Sequence, residues 1–591
     1  MTEVDTRIAD ELPESPPTAI ETDETVETVE TVETVETVET VEAVAPVEAV
    51  KPHRPGLGRR FIGSVVHMHP AMRLTYVAAL AFAVIFGRLG VQHHRNFGTW
   101  SFDMAIYDQA YWLASRFGKT FITVRGLEFW GHHLNLVAYL YAPFYWLGAG
   151  PAFLYVSQAV VLGLGAVPTY LLARDRFRSP WAGLAFAVAF LMYAPVQWIS
   201  WANYHPEALV ITPLLFAWWL ASRKHWRAFS VALLLALCTR EDTALAVIVM
   251  GVVLVALHWT SRRVDRRSFR FSLATLGVGA LWYAVATKLL IPHYNNGHEP
   301  FYITYFYGDF GKSSVEIAKN MLLHPDRVAK LAVLPDRARF YRDLLLPLGG
   351  LPLLGLPFLL MGGPQLLASI TGTSPYARQI MYQYTSVMIA PIIIASIEGT
   401  SRILRSKTLR YGAFCWLLAC AYVSNTAWSP SPLSPHYNVW AVPNNRVSAL
   451  NRAVSMVPHG ARVVGTYSIL PHLSGRRYAY DWPNPWQPAY WGDDRPDGSH
   501  SPAPHDPNTV DYIALDMYHV GAAQLPLIAQ LIGAEGQGGE FTVVYRSHFK
   551  RADPLGTADL NEPTGVKQVE VLADQVIVAK RVRNGPKSTA R

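Results

Sequence analysis

The first candidate for chemistry is a pair of aspartates that follow the first apolar stretch of the chain. Asp103 and Asp108 lie in the segment FDMAIYDQAYW, residues 102–112, among four aromatic side chains. A carboxylate at an aromatic-lined membrane surface could deprotonate a sugar hydroxyl or hold a divalent cation near a phosphate. The alternative is that either aspartate caps a short interfacial helix. The residue types alone leave both roles open.

Two later segments place histidine near other polar groups. The segment GHHLN contains His132 and His133, which project in different directions as chain neighbours and are not expected to bind one metal ion together. The segment YHPEAL places His205 and Glu207 at the mouth of an apolar stretch. Titratable residues there are functional candidates, and anchoring at the lipid headgroups is the competing explanation.

Arginine supplies the candidate phosphate contacts. In TREDTAL, residues 239–245, three charged residues including Arg240 and Asp242 interrupt an apolar region. A guanidinium suits bidentate recognition of phosphate, whereas the alternative is an exposed turn with a local ion pair. Arg378, in SPYARQIMYQY, could contact a lipid phosphate or an ordinary headgroup.

Aromatic residues are concentrated in the segment IPHYNNGHEPFYITYFYGDFG, residues 291–311. Aromatic faces with a few polar groups suit sugar rings, whose C–H surfaces stack on them. An aromatic belt at a membrane interface has the same composition.

The elements that position these residues are predicted to be membrane helices. The chain has 591 residues, of which 51% are hydrophobic and only 16% charged, which is too long and too apolar for one soluble domain. Runs of about twenty apolar residues recur along it. Three cysteines in apolar stretches, Cys238, Cys415 and Cys420, indicate neither a disulfide framework nor a cysteine metal site.

Charge is distributed unevenly along the chain. Residues 1–50 contain 15 Asp and Glu and one Arg, arranged around an acidic Glu-Thr-Val repeat, and are predicted to be a disordered cytoplasmic tail. The remaining residues contain 50 Lys and Arg against 29 Asp and Glu. This surplus flanks apolar stretches, so we assign it to the cytoplasmic membrane face rather than to nucleic-acid binding.

Clusters of Lys and Arg set the predicted orientation. The ambiguous stretch is 134–149, which we interpret as an interfacial or re-entrant helix because a span there would invert every later cluster. The clusters that then remain cytoplasmic are Lys51, Arg54, Arg59, Arg60 and Arg73; Arg174, Arg176 and Arg178; Arg223, Lys224 and Arg227; Arg262, Arg263, Arg266, Arg267 and Arg270; and Arg402, Arg405, Lys407 and Arg410.

We therefore predict a polytopic α-helical membrane domain, 74–427, with its N-terminus inside, its C-terminus outside, and large outer loops at 93–151 and 292–342. About eleven transmembrane helices are expected, at 74–92, 152–172, 180–200, 206–222, 226–239, 243–259, 270–291, 343–361, 362–373, 384–399 and 410–427. The spans at 226–239 and 362–373 are short for a bilayer.

Residues 428–591 are predicted to form an extracytoplasmic α/β domain. Strand patterns occur at 461–467, 510–517, 541–547 and 575–582, and helical spacing occurs at 522–534. A stretch rich in Pro, Gly, His, Asp and Trp between 481 and 508 is typical of a long surface loop.

Several of these motifs resemble one known family. FDMAIYDQAYW, the histidine before an aliphatic-Pro-Tyr helix, YHPEAL, the Arg-Glu-Asp at a span start and the late PHLSGRRYAY occur in an order similar to that of domain-of-unknown-function family 2079 (DUF2079). Its members are polytopic membrane proteins of bacteria and archaea, and the resemblance covers about 74–585. The family has no assigned activity, so the resemblance implies a fold and a location but no reaction.

The layout further resembles the type-C (GT-C) glycosyltransferase superfamily, whose members place an acidic residue in the first outer loop and take sugars from polyprenyl-phosphate donors. By position, that resemblance implies Asp103 as general base or metal ligand. The chain departs from the superfamily pattern because this loop has no Asp-x-Asp or Asp-Glu pair.

The resulting hypothesis is an inverting membrane glycosyltransferase on the extracytoplasmic face of the plasma (inner) membrane. Its partners would be a polyprenyl-phosphate sugar donor, membrane lipids and a cell-envelope glycan, lipid or protein acceptor. Asp103 is the predicted catalytic residue, no protein metal site is assigned, and a divalent cation stays open. The predicted substrate-binding residues are Asp108, His132, His205, Glu207, Arg240, Asp242 and Arg378.

The rival is a non-enzymatic membrane protein, either a lipid-linked saccharide transporter or an envelope-assembly factor. A transporter predicts ionisable groups near span midpoints and related halves with broken helices. Here the charges cluster at the outer ends of the apolar stretches and no internal repeat is evident, which favours the enzyme.

Overall fold

Apolar helices dominate the computed structural model of the protein, which describes residues 68–260, 265–489, 491–492, 506–533, 539–548 and 575–582. The predicted tail, 1–50, and most of the predicted loop between 481 and 508 lie outside these residues. The α-helices are Pro70–Arg95, Ile106–Ala114, Phe129–His132, Val137–Trp146, Pro151–Leu164, Ala166–Phe177, Pro180–Met192, Ala194–Trp201, Ile211–Ser222, Trp226–Leu237, Thr243–Trp259, Arg266–Val285, Ile291–Tyr294, Phe301–Tyr307, Ser314–Leu323, Pro325–Ala332, Pro335–Leu345, Leu356–Leu359, Gly363–Thr371, Ser386–Ile403, Lys407–Trp428, Asn445–Ser455 and Leu525–Ile532.

Shorter turns of other helix types connect these elements. The π-helical turns are Ser101–Ala105 and Ala286–Leu290. The 3₁₀ turns are Pro206–Val210, Leu346–Leu348, Leu351–Gly355, Leu360–Gly362, Pro375–Arg378, Gln383–Thr385, Pro435–Val439, Leu470–His472, Pro507–Thr509, Met517–His519 and Ala522–Gln524.

Within the described residues, five helical segments are long and apolar enough to cross a membrane, or six if the pair Pro180–Met192 and Ala194–Trp201, bent by 43°, is one span. The five are Pro70–Arg95, Pro151–Phe177, Arg266–Tyr294, Leu351–Thr371 and Gln383–Ile403. Shorter apolar helices occupy Pro206–Ser222, Trp226–Leu237, Thr243–Trp259 and Ala522–Ile532. The count of eleven spans therefore stays a prediction. Lys407–Trp428 has 22 residues but is less apolar than the five.

The structure joins two of the predicted spans. Where the sequence suggested separate spans at 343–361 and 362–373, one helical segment runs over Leu351–Thr371. The break lies earlier, at Gly349 and Gly350, whose φ angles of +64° and +72° end the preceding helix. Gly362 and Gly363 keep right-handed helical conformations. Of two Gly-Gly pairs, only the first uses the left-handed freedom of glycine.

The ambiguous stretch 134–149 forms a helix of 10 residues, Val137–Trp146. At 1.5 Å per residue this helix is about half the length that a hydrocarbon core requires. It packs beside Ile106–Ala114, so the segment that carries Asp108 has a helix for support.

In the part of the chain that the structure describes, seven strands make two sheets. β1 (Phe121–Ile122) pairs antiparallel with β2 (Leu127–Glu128). β3 (Val463–Gly465), β4 (Ala479–Asp481), β5 (Tyr512–Asp516), β6 (Phe541–His548) and β7 (Gln575–Arg581) form a sheet in the order β4-β3-β5-β7-β6. β3 is parallel to β4 and β5, and β7 is antiparallel to β5 and β6.

Four of the five strands lie where alternation predicted them, and the helix Leu525–Ile532 lies within its predicted range. β4 was missed: it has only three residues, of which Asp481 alone falls in the segment assigned to a loop. The described part of the chain belongs to one compact unit, Ser64–Arg591. The sheet shares a buried apolar cluster with the first loop: Tyr107, Ala110 and Tyr111 pack with Leu470 and Val578.

Candidate active site

Asp103 lies on a π-helical turn, Ser101–Ala105, between the helix Pro70–Arg95 and the helix Ile106–Ala114. The turn is fixed from outside, because the backbone N–H of Ser101 donates to the carbonyl of Tyr467 over 3.0 Å. Single π turns are rare and occur frequently at functional sites. The turn presents the Asp103 side chain with 28% of its surface exposed.

His205 clamps the Asp103 carboxylate. The imidazole Nε2 is 3.2 Å from Asp103 Oδ1, and Asn203 Nδ2 donates to Asp103 Oδ2 over 3.3 Å. His205 Nδ1 donates to the Asn203 carbonyl over 2.7 Å, so both ring nitrogens are engaged. The His205 backbone N–H is in turn held by Gln158 at 3.0 Å. Asp103 is thus the exposed member of the pair and His205 the buried one.

The charges of this pair stabilise each other. Burial alone would raise the pKa of Asp103, but the charge and hydrogen bond of His205 outweigh it, so the pKa of Asp103 is lowered. Burial likewise opposes protonation of His205, but Asp103 outweighs it and raises the pKa of His205. Asp103 is therefore an ionised carboxylate near neutral pH, oriented by an imidazolium.

Arg240 forms a second cluster with Glu207 and Asp242. Its Nη1 donates to Glu207 Oε1 over 2.8 Å, and its Nε donates to Asp242 Oδ1 over 2.8 Å, with a further contact to Asp242 Oδ2. The Glu207 side chain is 3% exposed and that of Asp242 26% exposed. Among the described residues, Glu207 Oε2 has no hydrogen-bond partner. A buried charged oxygen without a partner is costly and is a candidate ligand contact.

The two clusters adjoin, because His205 and Glu207 are separated only by Pro206 at the start of a 3₁₀ turn. The ring of Tyr107 lies 5.6 Å from the His205 ring. Burial first, and then the charge of Glu207, raise the pKa of Tyr107 well above its usual range, and Asp103 and Arg240 also act on it. Tyr107 is thus within electrostatic range of both clusters, which the sequence had not suggested.

Glu241 is held on the other side of Arg240. Its carboxylate accepts from the His133 ring at 2.8 Å, from the Leu134 N–H at 2.9 Å and from the Tyr302 hydroxyl at 3.2 Å. Burial opposes ionisation, but His133 outweighs it and lowers the pKa of Glu241 to about 2. The histidine that bonds here is His133.

His132, the predicted binding residue, packs edge-on to the Tyr302 ring at 5.6 Å. Burial, followed by the charges of His133, Arg125 and Arg240, lowers the pKa of His132 well below its usual value. A neutral imidazole near Arg240 is placed to shape the site by contact rather than by charge.

Asp108 lies apart from these clusters. It accepts hydrogen bonds from Tyr145 at 2.9 Å and from Ser474 at 2.7 Å and is almost fully buried. Burial raises the pKa of Asp108 to about 6, although both hydrogen bonds lower it. Asp108 follows Asp103 by five positions, and side chains at that spacing point to different faces of a helix. Asp108 ties the first loop to the segment after β3.

Arg378 also lies elsewhere. Its Nε donates to Asp336 over 2.7 Å, and its Nη1 donates to the carbonyl of Gly372 over 2.7 Å. The second contact satisfies a carbonyl at the carboxyl end of Gly363–Thr371, where a cation is favourable. The structure thus brings together Asp103, His205, Glu207, Arg240 and Asp242, with His132 near Arg240, and places Asp108 and Arg378 in supporting contacts.

Sequence reasoning missed Asn203, Gln158 and Tyr107. Asn203 precedes the candidate His205 by two residues, and this closeness in sequence could have indicated it. Gln158 follows Ser157 within an otherwise apolar helix, and polar residues there are a recognised signal for a buried partner. No group of three His, Cys, Asp or Glu side chains that could hold a metal ion occurs within the described residues.

A family model described as "Predicted membrane protein (DUF2079)" matches residues 93–547. The match covers more than half of the chain and includes every residue of both clusters. The protein belongs to the DUF2079 family. Membership agrees with the apolar helices and places both charge clusters within the family's shared region. No curated protein matches this DUF2079 member.

Two solved structures were similar to this DUF2079 protein in part. An Archaeoglobus fulgidus oligosaccharyltransferase tethered to an acceptor peptide containing the NVT sequon is 11% identical, with a TM-score of 0.36 over 74% of this chain and 69% of that one. AglB from the same organism, in complex with an inhibitory peptide and a dolichol-phosphate, is 11% identical, with a TM-score of 0.35 over 78% of this chain and 71% of that one.

Proposed function

We propose that this DUF2079 protein is a membrane glycosyltransferase that takes a sugar from a polyprenyl-phosphate donor at the outer face of the plasma membrane. The observation that carries the proposal is Asp103: a partly exposed, ionised carboxylate, held by His205 and adjoining an arginine cluster. A base and a phosphate-binding cation beside apolar helices are the groups that such a transfer needs.

In the proposed reaction, the hydroxyl oxygen of the acceptor attacks C1 of the donor sugar, and Asp103 accepts the proton of that hydroxyl. The bond between C1 and the phosphate oxygen breaks, and the polyprenyl phosphate leaves with the bonding electrons. His205, which uses both nitrogens to hold Asp103 and its neighbour, acts as a positioning residue. Because phosphate is a good leaving group, stabilising its charge contributes more than protonating it.

Arg240 would stabilise that charge. In the structure, Glu207 and Asp242 occupy its guanidinium, and their exposures differ: 3% for Glu207 and 26% for Asp242. In this proposal Glu207 holds Arg240 in place. Asp242 is the partner of Arg240 that an incoming phosphate displaces. His132 completes this end of the site, and Asp108 and Arg378 support it from outside. Both exposed carboxylates are already paired with cations, so the described residues do not offer a dedicated metal site.

The test is turnover by purified full-length protein in nanodiscs, with polyprenyl-phosphate pentoses and hexoses as donors. Asp103→Asn keeps the size of the side chain and one accepting oxygen but removes the proton acceptor, so turnover should fall on the order of 10²–10⁴-fold. Asp309→Asn, which changes an exposed carboxylate in the second large loop, is the control and should retain full turnover. Full activity in Asp103→Asn would remove the base assignment. No turnover by the wild type across the donor panel would favour the non-enzymatic alternative.

A further inference from the structure

The sheet contains a topological switch point, the position at which parallel sheets commonly bind ligands. From β3 the chain crosses to β4 on one side and then returns to β5 on the other side, so the connections diverge between β3 and β5. Ligands of open α/β sheets bind outside the carboxyl ends of the strands at this switch point. Here the residues after β3 include Tyr467, and those after β5 include His519.

The Asp103 turn docks at this switch point. Besides the hydrogen bond from Ser101 to the Tyr467 carbonyl, Phe102 packs edge-on against the Tyr467 ring at 5.8 Å. Tyr467 in turn lies 5.8 Å from the His519 ring. Phe102 and Tyr467 are half-buried, and the His519 side chain keeps 10% of its surface exposed. An aromatic strip therefore runs from the turn that carries Asp103 over the carboxyl edge of the sheet.

A third segment contributes to the strip. Tyr376 and Tyr382 pack edge-on at 5.3 Å, and both interact electrostatically with Tyr467. Asp103 acts on Tyr467 and on Tyr382. Three separate parts of the chain thus place aromatic side chains within electrostatic range of one another near Asp103, with Tyr376 exposed and Tyr382 buried. The Arg240 cluster, in contrast, reaches Asp103 through His205 and Pro206.

We propose that the aromatic strip Phe102, Tyr376, Tyr382, Tyr467 and His519 is the acceptor subsite and that the acceptor is a saccharide. This inference rests on the proposed function: the donor phosphate lies at Arg240, the acceptor lies on the strip, and its hydroxyl reaches Asp103 between them. Aromatic faces rimmed by hydroxyl and imidazole groups suit the C–H faces and hydroxyls of a sugar.

A peptide acceptor fits the strip less well. Extended peptides are commonly recognised by pairing with an exposed strand edge. The ends of this sheet are β4, of only three residues, and β6, whereas the strip lies across the carboxyl ends of the strands. Two acids and two arginines lie at the strip: Asp103, Arg125 at 5.0 Å above the Phe102 ring, and the ion pair of Arg446 with Asp516 beside His519. Their charges balance, so the subsite is close to neutral overall.

The test separates acceptor binding from donor turnover. Full-length protein in nanodiscs is titrated with neutral hexose and pentose oligosaccharides, followed by saturation-transfer NMR, and hydrolysis of the donor by water is measured separately. Tyr467→Leu keeps the side chain apolar but removes the aromatic face. It should raise the saccharide Kd about 3- to 10-fold, the range expected for one aromatic contact. Donor hydrolysis, which needs no acceptor, should fall by a smaller factor than saccharide affinity, because water does not use the aromatic face.

Tyr467→Phe should bind saccharide like the wild type, and Tyr437→Leu, at an exposed tyrosine outside the strip, is the matched control. His519→Ala serves as a second strip variant if Tyr467→Leu does not fold. Donor turnover without saccharide binding, or with tighter binding of peptides than of sugars, would overturn the subsite and leave the transferase intact. Saccharide binding that Tyr467→Leu weakens, in a protein without donor turnover, would uphold the subsite and remove the enzyme.

Discussion

Two ion clusters lie near opposite ends of one helix, Ser386–Ile403, and they differ in how completely their charges are paired. Tyr384, just before the helix, is within electrostatic range of Asp103, Glu207 and Arg240. Glu398 lies fourteen residues later, about 21 Å along a helix that rises 1.5 Å per residue. Both clusters pair arginine with a buried carboxylate, yet only one leaves groups for a ligand.

The Glu398 cluster is closed. Arg176 donates Nε and Nη2 to the two Glu398 oxygens over 2.7 and 2.8 Å, and the Trp218 indole donates over 2.7 Å. Arg402, one turn later, also contacts the carboxylate. The Glu398 side chain has no exposed surface. Every acceptor position has a donor, so this cluster is built for holding helices together.

The cluster at Arg240 is open by comparison. Glu207 Oε2 has no partner among the described residues, and the side chains of Asp242 and Asp103 are about a quarter exposed. Pairing chemistry alone therefore does not separate a structural ion pair from a candidate site. Carboxylates that are exposed or lack a hydrogen-bond partner distinguish a candidate site from a structural ion pair, because they can exchange a protein contact for a ligand at low cost.

The largest difference between the two clusters is expected in the free energy of unfolding. Glu398→Gln should destabilise the protein by about 3 kcal/mol, because the fully buried carboxylate is the shared counter-charge of the partly exposed Arg176 and Arg402. Glu207→Gln should cost clearly less, since Arg240 keeps Asp242 and one Glu207 oxygen makes no hydrogen bond. Thermal unfolding in detergent, read by light scattering and tryptophan emission, measures both. Equal losses would show that the open cluster is as structural as the closed one.

A buried acid without a cation contact extends the comparison. Asp481, at the end of β4, is buried and its Oδ1 has no hydrogen-bond partner among the described residues. Burial raises the pKa of Asp481 to about 7, although Ser101 and Arg125 act against it. A carboxyl whose folded pKa is raised destabilises the protein as pH rises above its unfolded pKa, and the loss is complete above the folded pKa.

Asp481→Asn should therefore stabilise the protein above pH 7, on the order of 3 kcal/mol, and the gain should shrink towards pH 4. Thermal unfolding of wild type and variant from pH 4.5 to 8.5 measures this dependence. Asp511→Asn, at an exposed carboxylate in the neighbouring strand region, is the control and should show no such trend. A gain independent of pH would mean that the pKa of Asp481 is the same in the folded and the unfolded protein.

The smallest contrast is expected for ligand affinity. Arg240→Lys keeps the charge but loses the planar fork, so donor affinity should fall about 10-fold, the cost of one charge-assisted hydrogen bond. Arg176→Lys makes the same change in the closed cluster and should lower thermal stability while leaving donor affinity unchanged. Binding of a polyprenyl-phosphate donor to nanodiscs, measured by calorimetry, distinguishes the two. Equal donor affinity in both variants would remove Arg240 from the phosphate site.

Local patterns predicted much of the fold. Apolar runs marked the helices, and alternation marked four strands of the sheet, because both signals depend only on which face of an element is buried. The break between Pro335–Leu345 and Leu351–Thr371 was misplaced, since two Gly-Gly pairs look alike in sequence and only packing decides which one adopts positive φ. β4 was missed because three residues give no usable periodicity.

For the candidate site, the sequence by itself determined which side chains could do chemistry: Asp103, His205, Glu207, Arg240 and Asp242 interrupt or border apolar stretches, where ionisable groups are expensive. Only the tertiary structure decided their partners. Asn203 reaches Asp103 across 100 residues, Arg176 reaches Glu398 across 222, and Ser474 takes Asp108 out of the site across 366. Burial preference is a property of a residue and its near neighbours, whereas a hydrogen-bond partner is fixed by how distant elements pack.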